Sequence, residues 1–488
     1  MKKGYIPKNQ RKKILMLSDD IRTTSGVGNQ ARLIIESTAH HYNWVNLGGA
    51  QNHPDHGKGY DMSKEVNERM NLKDSDVRIL STKGYGDAAL LRSLISQENP
   101  DAIIHFTDPR YWIWMYQMEN EIRQKCPLIF YTIWDDVPYP MWNREFYRSD
   151  DMLLCISKQT KNIIENVLRD HPKPGRIDYI PHGIDENKFF PVINDFEFET
   201  FKEKIFENKK YDFVVLWNSR NIRRKNPADI ILAWRTFLDQ LPVEKAKKCL
   251  LLMKTEAKFD AGTDLVAVAE SFCDPKIHNV KIVDQRFPEK ELNYLYNISD
   301  AHMFMTDNEG WGLGLTESLT AGRMIIAPVQ GGMQDQMRFE DENGDWINFT
   351  TEHPSNADGK YKKCGEWAMP IFPKTRSVKG SPLTPYIFAS QCSIEDAAIA
   401  LMKVYKMGPK ERQRRGLAGR EWVLSNESGF TSKIMGERFI KNIDKLLKEW
   451  EPQPKFTVTK IDNSTKLCNF NPSPISLTPE FLKEIQSI

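Results

Sequence analysis

Met303-Phe-Met-Thr-Asp307-Asn308-Glu309-Gly310-Trp311-Gly312-Leu313-Gly314-Leu315-Thr316-Glu317 decides the fold of this chain. Ala301 to Thr306 is short, apolar and flanked by Asp300 and Asp307, which predicts a buried strand. Glycines at 310, 312 and 314 permit a tight turn and close approach of backbone to a ligand. Gly312 to Ala321 then reads as a helix stopped at Gly322, and Met324 to Ala327 as the next strand. A strand, glycine turn, helix and strand in that order is the ligand-binding unit of a doubly wound α/β sheet.

Glu309 lies in the turn and Glu317 along the helix. A helix beginning near Trp311 sets them roughly 10 Å apart, at about 1.5 Å per residue. Between them is the helix N-terminus, whose free N–H groups and positive dipole end favour a phosphate. Carboxylate, anion site, carboxylate matches sugar hydroxyls, phosphates and ribose hydroxyls in a nucleotide sugar. The competing reading is a helix with a solvated Glu317 and an N-terminal Glu309.

With 488 residues, the chain is expected to divide into two or more domains. Its 68 basic and 66 acidic side chains give no global nucleic-acid signal. The seven cysteines are scattered and lack a CxxC pair, which fits free thiols in a reducing cytoplasm. The start, Met1-Lys-Lys-Gly-Tyr-Ile-Pro7, has no apolar region of a signal peptide, and no apolar run approaches a membrane span of roughly 20 residues. Twelve tryptophans suit sugar or base stacking and also ordinary core packing.

Ile14 to Ser18 reads as the first strand, followed by Asp19 to Gln30 with Gly26 and Gly28. Only two of the three glycines of the dinucleotide fingerprint are present, leaving a substrate loop or a simple tight turn. His53, Asp55 and His56 are closely spaced on a polar loop and read as solvated rather than as metal ligands. Asp74-Ser-Asp76 is a D-x-D pattern in a polar connection and carries little weight. Asp101 to Pro109 is a strand with its loop; Asp108 is placed either to meet an acceptor hydroxyl or to cap the following helix, and the two are compatible. Asp135 and Asp136 end another strand beside aromatic residues. Phe213 to Trp217 opens the second sheet and leads into Asn218-Ser-Arg220-Asn-Ile-Arg223-Arg224-Lys225. Residues 340–392 show no helical period and interleave Lys360, Lys362, Lys363, Lys374, Arg376 and Lys379 with aromatics, the pattern either of a nucleic-acid contact or of a solvated insertion.

Glu309-Gly-Trp-Gly-Leu-Gly-Leu-Thr-Glu317 resembles the E-x7-E motif of retaining GT-B glycosyltransferases of the family 4 group. Three further segments are similar: Arg220 with Lys225 five positions on, Pro181-His182-Gly183-Ile184-Asp185, and His105-Phe-Thr107-Asp108-Pro109. In the last, Thr107 stands where the family has a histidine.

The resemblance implies two doubly wound Rossmann-like domains facing across a cleft. Residues 1–190 would form the acceptor domain, with 428–488 crossing back onto it. Residues 191–210 are the linker, and 211–427 the donor domain with an insertion at 340–392. It implies a hexosyl- or pentosyltransferase using a nucleotide sugar, with UDP the expected nucleotide and retention of configuration. Glu309, Arg220, Lys225 and Asp108 are the expected catalytic residues. Gly26, Gly28, Arg220, Lys225, Gly310, Trp311, Gly312, Leu313 and Glu317 are the expected donor-binding set. Neither a metal nor a further cofactor is implied, since Arg220, Lys225 and the helix end at Gly312 supply positive charge.

The chain also resembles phage-encoded members of this fold, some of which glycosylate hydroxymethylcytosine in DNA. That implies a double-stranded DNA acceptor and a cytoplasmic site of action, with no protein partner evident. A lipid-linked or cell-envelope glycan or a small metabolite is the alternative acceptor. A non-catalytic nucleotide-sugar- or DNA-binding protein is the alternative of another class.

Overall fold

The computed structural model describes residues 4–50, 56–171, 175–193 and 195–454. His53, Asp55 and the tail from 455 onward lie outside them. The described residues up to Pro452 form one compact unit. The first sheet contains β1 (Lys12–Asp19), β2 (Tyr42–Gly49), β3 (Gly59–Asp61), β4 (Val77–Ser81), β5 (Ala102–Phe106), β6 (Leu128–Thr132), β7 (Met152–Cys155) and β8 (Ile177–Tyr179). Their spatial order is β3-β4-β2-β1-β5-β6-β7-β8, parallel except for β3. The second contains β9 (Phe213–Asn218), β10 (Cys249–Lys254), β11 (Asn279–Val283), β12 (Ala301–Met303), β13 (Met324–Pro328) and β14 (Ala368–Ile371). Its order is β11-β10-β9-β12-β13-β14. The strand order reverses once in each sheet, between β1 and β5 in the first and between β9 and β12 in the second. This is the GT-B arrangement of two Rossmann-like halves, and the crevices open at those reversals.

The strands are apolar on both faces because helices cover both faces. Along β1, Ile14 and Met16 join one core cluster while Leu15 and Leu17 join another. The long C-terminal helix Ser432–Glu449 returns to the first sheet, where Tyr42 Oη donates to Asp444 at 2.6 Å. At its crossing with the helix Gly26–Thr38, a Cβ on Gly436 would lie 2.6 Å from Ser37 Oγ, so close approach requires glycine there.

Two sequence expectations change. The strand expected over Ala301–Thr306 ends at Met303, because Asn226 Nδ2 captures the Met305 carbonyl at 2.8 Å and Thr306 Oγ1 donates to Asn308 O at 2.7 Å. These bonds hold the segment to the loop after β9, where Asp307 N also donates to Arg224 O at 2.8 Å. Residues 340–392 are not wholly an insertion. Ala368–Ile371 is the edge strand of the second sheet, and its Pro370 is tolerated because that edge needs no further donor. Thr375–Ser381 (β15) and Thr384–Gln391 (β16) form an antiparallel hairpin.

Candidate functional site

The loops at both reversals converge on one cavity of about 880 Å³. From the first sheet come Ser25 and Gly26 after β1, Asp108 and Arg110 after β5, and Thr132 to Asp136 at the end of β6. From the second come Asn218 to Lys225 after β9 and Phe304 to Gly314 after β12. The β15–β16 hairpin supplies a third wall through Lys379, Gly380, Ser381, Thr384 and Ile387.

The Glu309–Gly314 turn is built by local backbone chemistry. Gly312 has φ +86° and precedes the helix Leu313–Thr320, so the N-terminus of that helix opens at the cavity. A Cβ on Gly331, φ +50°, would collide with the Glu309 carbonyl, so the second glycine turn holds the Glu309 backbone from behind. Trp311 is buried and its Nε1 donates to Thr316 Oγ1 at 2.9 Å, which locks the turn onto its own helix.

Lys225 is buried, and its Nζ is ion-paired with the Glu309 carboxylate. Arg224 lies 3.6 Å from the same carboxylate and donates to Asn308 O at 2.6 Å. Burial, then the adjacent Arg224, pushes the Lys225 ammonium well below the usual lysine range, against the attraction of Asp135. Arg220 is exposed at the rim, its guanidinium 5.8 Å from the centre of the Phe259 ring.

The expected donor-binding residues Gly26, Arg220, Lys225, Gly310, Trp311, Gly312 and Leu313 all line this cavity, as do the expected catalytic residues Glu309 and Asp108. Two expected residues do not. Gly28 packs behind the loop, where an added Cβ would lie 2.8 Å from Asp20 O; its N–H completes the Ser25 helix cap at 2.9 Å. Glu317 lies one turn beyond Gly314, half-buried, and accepts a hydrogen bond from Tyr296 Oη. Burial raises its carboxyl, and Tyr296 opposes that shift.

Asp108 performs the capping role, accepting from Arg110 N at 3.0 Å, and also pairs with the Arg110 guanidinium. Arg110 in turn contacts Thr384 of the hairpin. His105 is sealed in the core and bonds Tyr116 Oη at 2.9 Å; burial holds its ring neutral, pushing its pKa down to about 3. Asp74 is engaged by Tyr5 Oη and Arg11, each at 2.7 Å, so the D-x-D pattern is a structural clasp.

Several cavity residues were not among the expected site. Asp135 and Asp136 face Arg224 and Lys225; burial raises both carboxyls, and for Asp136 repulsion from Asp135 adds to it. Asn308 joins all three walls: its amide donates to Asp136 and, at 2.7 Å, to Phe388 O of the hairpin. Phe388 N donates to Val137 O at 3.0 Å, and Tyr386 Oη to Tyr139 O at 3.3 Å. Carboxylates at a strand's C-terminal end and the Arg-Arg-Lys run were the available signals for Asp135, Asp136 and Arg224. The hairpin gave none beyond its basic composition.

Lys360, Lys362 and Lys363 do not line the cavity. Lys363 is paired with Glu340, Lys362 sits 4.1 Å over the Phe372 ring, and Lys360 5.0 Å over Tyr361. Among the described residues, no helix is long and apolar enough to cross a membrane.

No protein-family model matches this chain, and no curated protein sequence matches it. Solved structures do. A glycosyltransferase from Rickettsia africae ESF-5 aligns at 14% identity over 90% of this chain and 100% of that chain, with TM-score 0.61. Anabaena HepE in complex with UDP and glucose aligns at 12% identity over 89% and 100%, with TM-score 0.60. Sucrose-phosphate synthase from Thermosynechococcus elongatus aligns at 15% identity over 90% and 100%, also with TM-score 0.60. Likeness at these identities is one of fold, and it defines the chain as a protein of the GT-B glycosyltransferase fold.

Proposed function

We propose that this protein is a glycosyltransferase that moves a hexosyl or pentosyl group from a UDP-sugar to an acceptor hydroxyl with retention. The observation that carries the reading is the meeting of Arg220, Arg224, Lys225, Glu309 and the helix end at Gly312 in one cavity between the two sheets. The UDP and glucose bound by Anabaena HepE, which shares the fold, support the donor class.

In this reading Arg220, Lys225 and the N–H groups after Gly312 neutralise the departing diphosphate, and the buried setting of Lys225 strengthens its share. Glu309 orients the transferred sugar and Glu317 holds the ribose hydroxyls. Gly26, Gly310, Trp311 and Leu313 shape the donor channel, and Asp108 faces the acceptor. The bond from sugar C1 to the β-phosphate oxygen breaks, the acceptor oxygen bonds C1 from the same face, and its proton passes to the departing phosphate oxygen.

Residues 1–190 serve as the acceptor half, onto which the helix Ser432–Glu449 crosses back, 191–210 as linker, and 211–427 as the donor half. The acceptor is 5-hydroxymethylcytosine in DNA, in the cytoplasm. The resemblance to phage-encoded enzymes supports this, as does the basic hairpin beside the cleft. A base in a duplex must leave its stack to enter such a cavity.

Incubation with UDP-glucose and a hydroxymethylated duplex tests both levels, reading UDP release and the mass of digested nucleosides. UDP release with sugar on hydroxymethylcytosine is expected. Release without sugar on DNA removes the DNA acceptor alone. No release from any nucleotide sugar overturns the glycosyltransferase reading.

A further inference from the structure

His182, between β8 and the crossing to the second sheet, lines the cavity yet is only 6% exposed. Its ring is walled by Phe106, Tyr131 and Trp311, with centroids at 5.9, 5.5 and 6.1 Å. Tyr131 Oη lies 2.9 Å from Ile180 O and 2.9 Å from His182 Nδ1. A carbonyl only accepts, so the single phenolic proton is committed to Ile180. The contact with His182 is then satisfied only if Nδ1 carries the ring proton and donates to Tyr131. That fixes the tautomer and leaves a lone pair on Nε2. Burial pushes the imidazole down to about 3, so it stays neutral at physiological pH.

Nε2 makes no hydrogen bond among the described residues, and it is not among the polar atoms sealed from solvent. It is an oriented acceptor open to the cavity, within reach of a donor placed there. Trp311, which touches the imidazole edge to face, belongs to the same turn as Glu309. Thr107, at the adjacent tip of β5, has its hydroxyl engaged with Trp112 Nε1 at 2.8 Å.

We infer that His182 Nε2 accepts a hydrogen bond from a hydroxyl of the transferred sugar, and that Tyr131 sets the tautomer that makes this possible. The inference rests on the glycosyltransferase reading and adds a sugar-recognition residue to it.

The test compares UDP-glucose with its 2-, 3-, 4- and 6-deoxy analogues in the wild type, His182→Phe and Tyr131→Phe, alongside binding of UDP alone. One deoxy donor is expected to lower the wild-type kcat/KM by about tenfold, the size of one lost hydrogen bond. His182→Phe keeps the aromatic packing and is expected to lose about the same factor with UDP-glucose, with no further loss on that deoxy donor and unchanged UDP binding. Tyr131→Phe lies outside the cavity and lets the proton move to Nε2; it is expected to weaken the same discrimination, and it carries the test if His182→Phe fails to fold. Full discrimination among deoxy donors in the folded variants overturns the assignment while leaving wild-type turnover intact. Absence of wild-type turnover with any nucleotide sugar is instead a failure of the glycosyltransferase reading.

Discussion

Lys225 and Glu309 touch: the buried ammonium at the end of the β9 loop is ion-paired with the carboxylate at the head of the β12 turn. The proposed function gives the lysine to the diphosphate and the glutamate to the sugar. Their contact makes those two positions adjacent, as the β-phosphate and the anomeric carbon are adjacent in a nucleotide sugar. Lys225→Ala is expected to lower kcat by about two orders of magnitude at saturating donor, the cost of losing one transition-state donor. Steady-state UDP release checks it, and near-wild-type kcat removes Lys225 from the mechanism.

The two glutamates are expected to fail differently. Glu309→Gln removes the partner of Lys225 and should chiefly lower kcat. Glu317→Gln should chiefly raise the donor KM, because its position one turn along the helix suits a ribose grip made equally in ground and transition states. Kinetics of both variants on the same UDP-sugar decide this, and identical patterns would show that the two ends are misassigned.

The hairpin rather than the Lys360 cluster is expected to meet an anionic acceptor. Lys379 lines the cavity, where it pairs with Asp307, and Arg376 precedes it on β15 over the Phe388 ring, whereas Lys360, Lys362 and Lys363 do not line the cavity. Changing Arg376 and Lys379 together to alanine should reduce the slope of log K against log salt for duplex binding by up to about two units. Alanine at 360, 362 and 363 should change it by less than about one unit. Fluorescence anisotropy over a salt series measures both, and the reverse ranking would place the acceptor away from the hairpin.

Asp335 joins the two halves, accepting from Lys158 N at 2.9 Å, and burial raises its carboxyl to about 6. The folded pKa lies above the unfolded value of about 3.9. Ionisation therefore opposes folding above pH 6, and that penalty is relieved as pH falls from about 6 to about 4. Asp335→Asn keeps an acceptor for Lys158 N and cannot ionise. Relative to wild type, it should be more stable at pH 7.5 than at pH 4.5, by about 2 kcal/mol. Denaturant melts at the two pH values test this, and a pH-independent difference contradicts the buried ionisation.

The sequence by itself determined the fold class and the local geometry of the turn. Strand, glycines, helix and strand run consecutively from Ala301 to Pro328, and short-range backbone rules fix how Glu309, Gly312 and the helix end relate. What it left undecided are contacts between residues far apart in the chain. Lys225 and Glu309 are 84 positions apart, Asn308 and Asp136 172, and Arg110 and Thr384 274. Such pairs are set by how two sheets and a hairpin pack, and no local pattern encodes that packing. The same holds for His182, whose tautomer depends on Tyr131 from a different strand. It also holds for β14, whose four residues with a proline become a strand only because β13 offers an open edge.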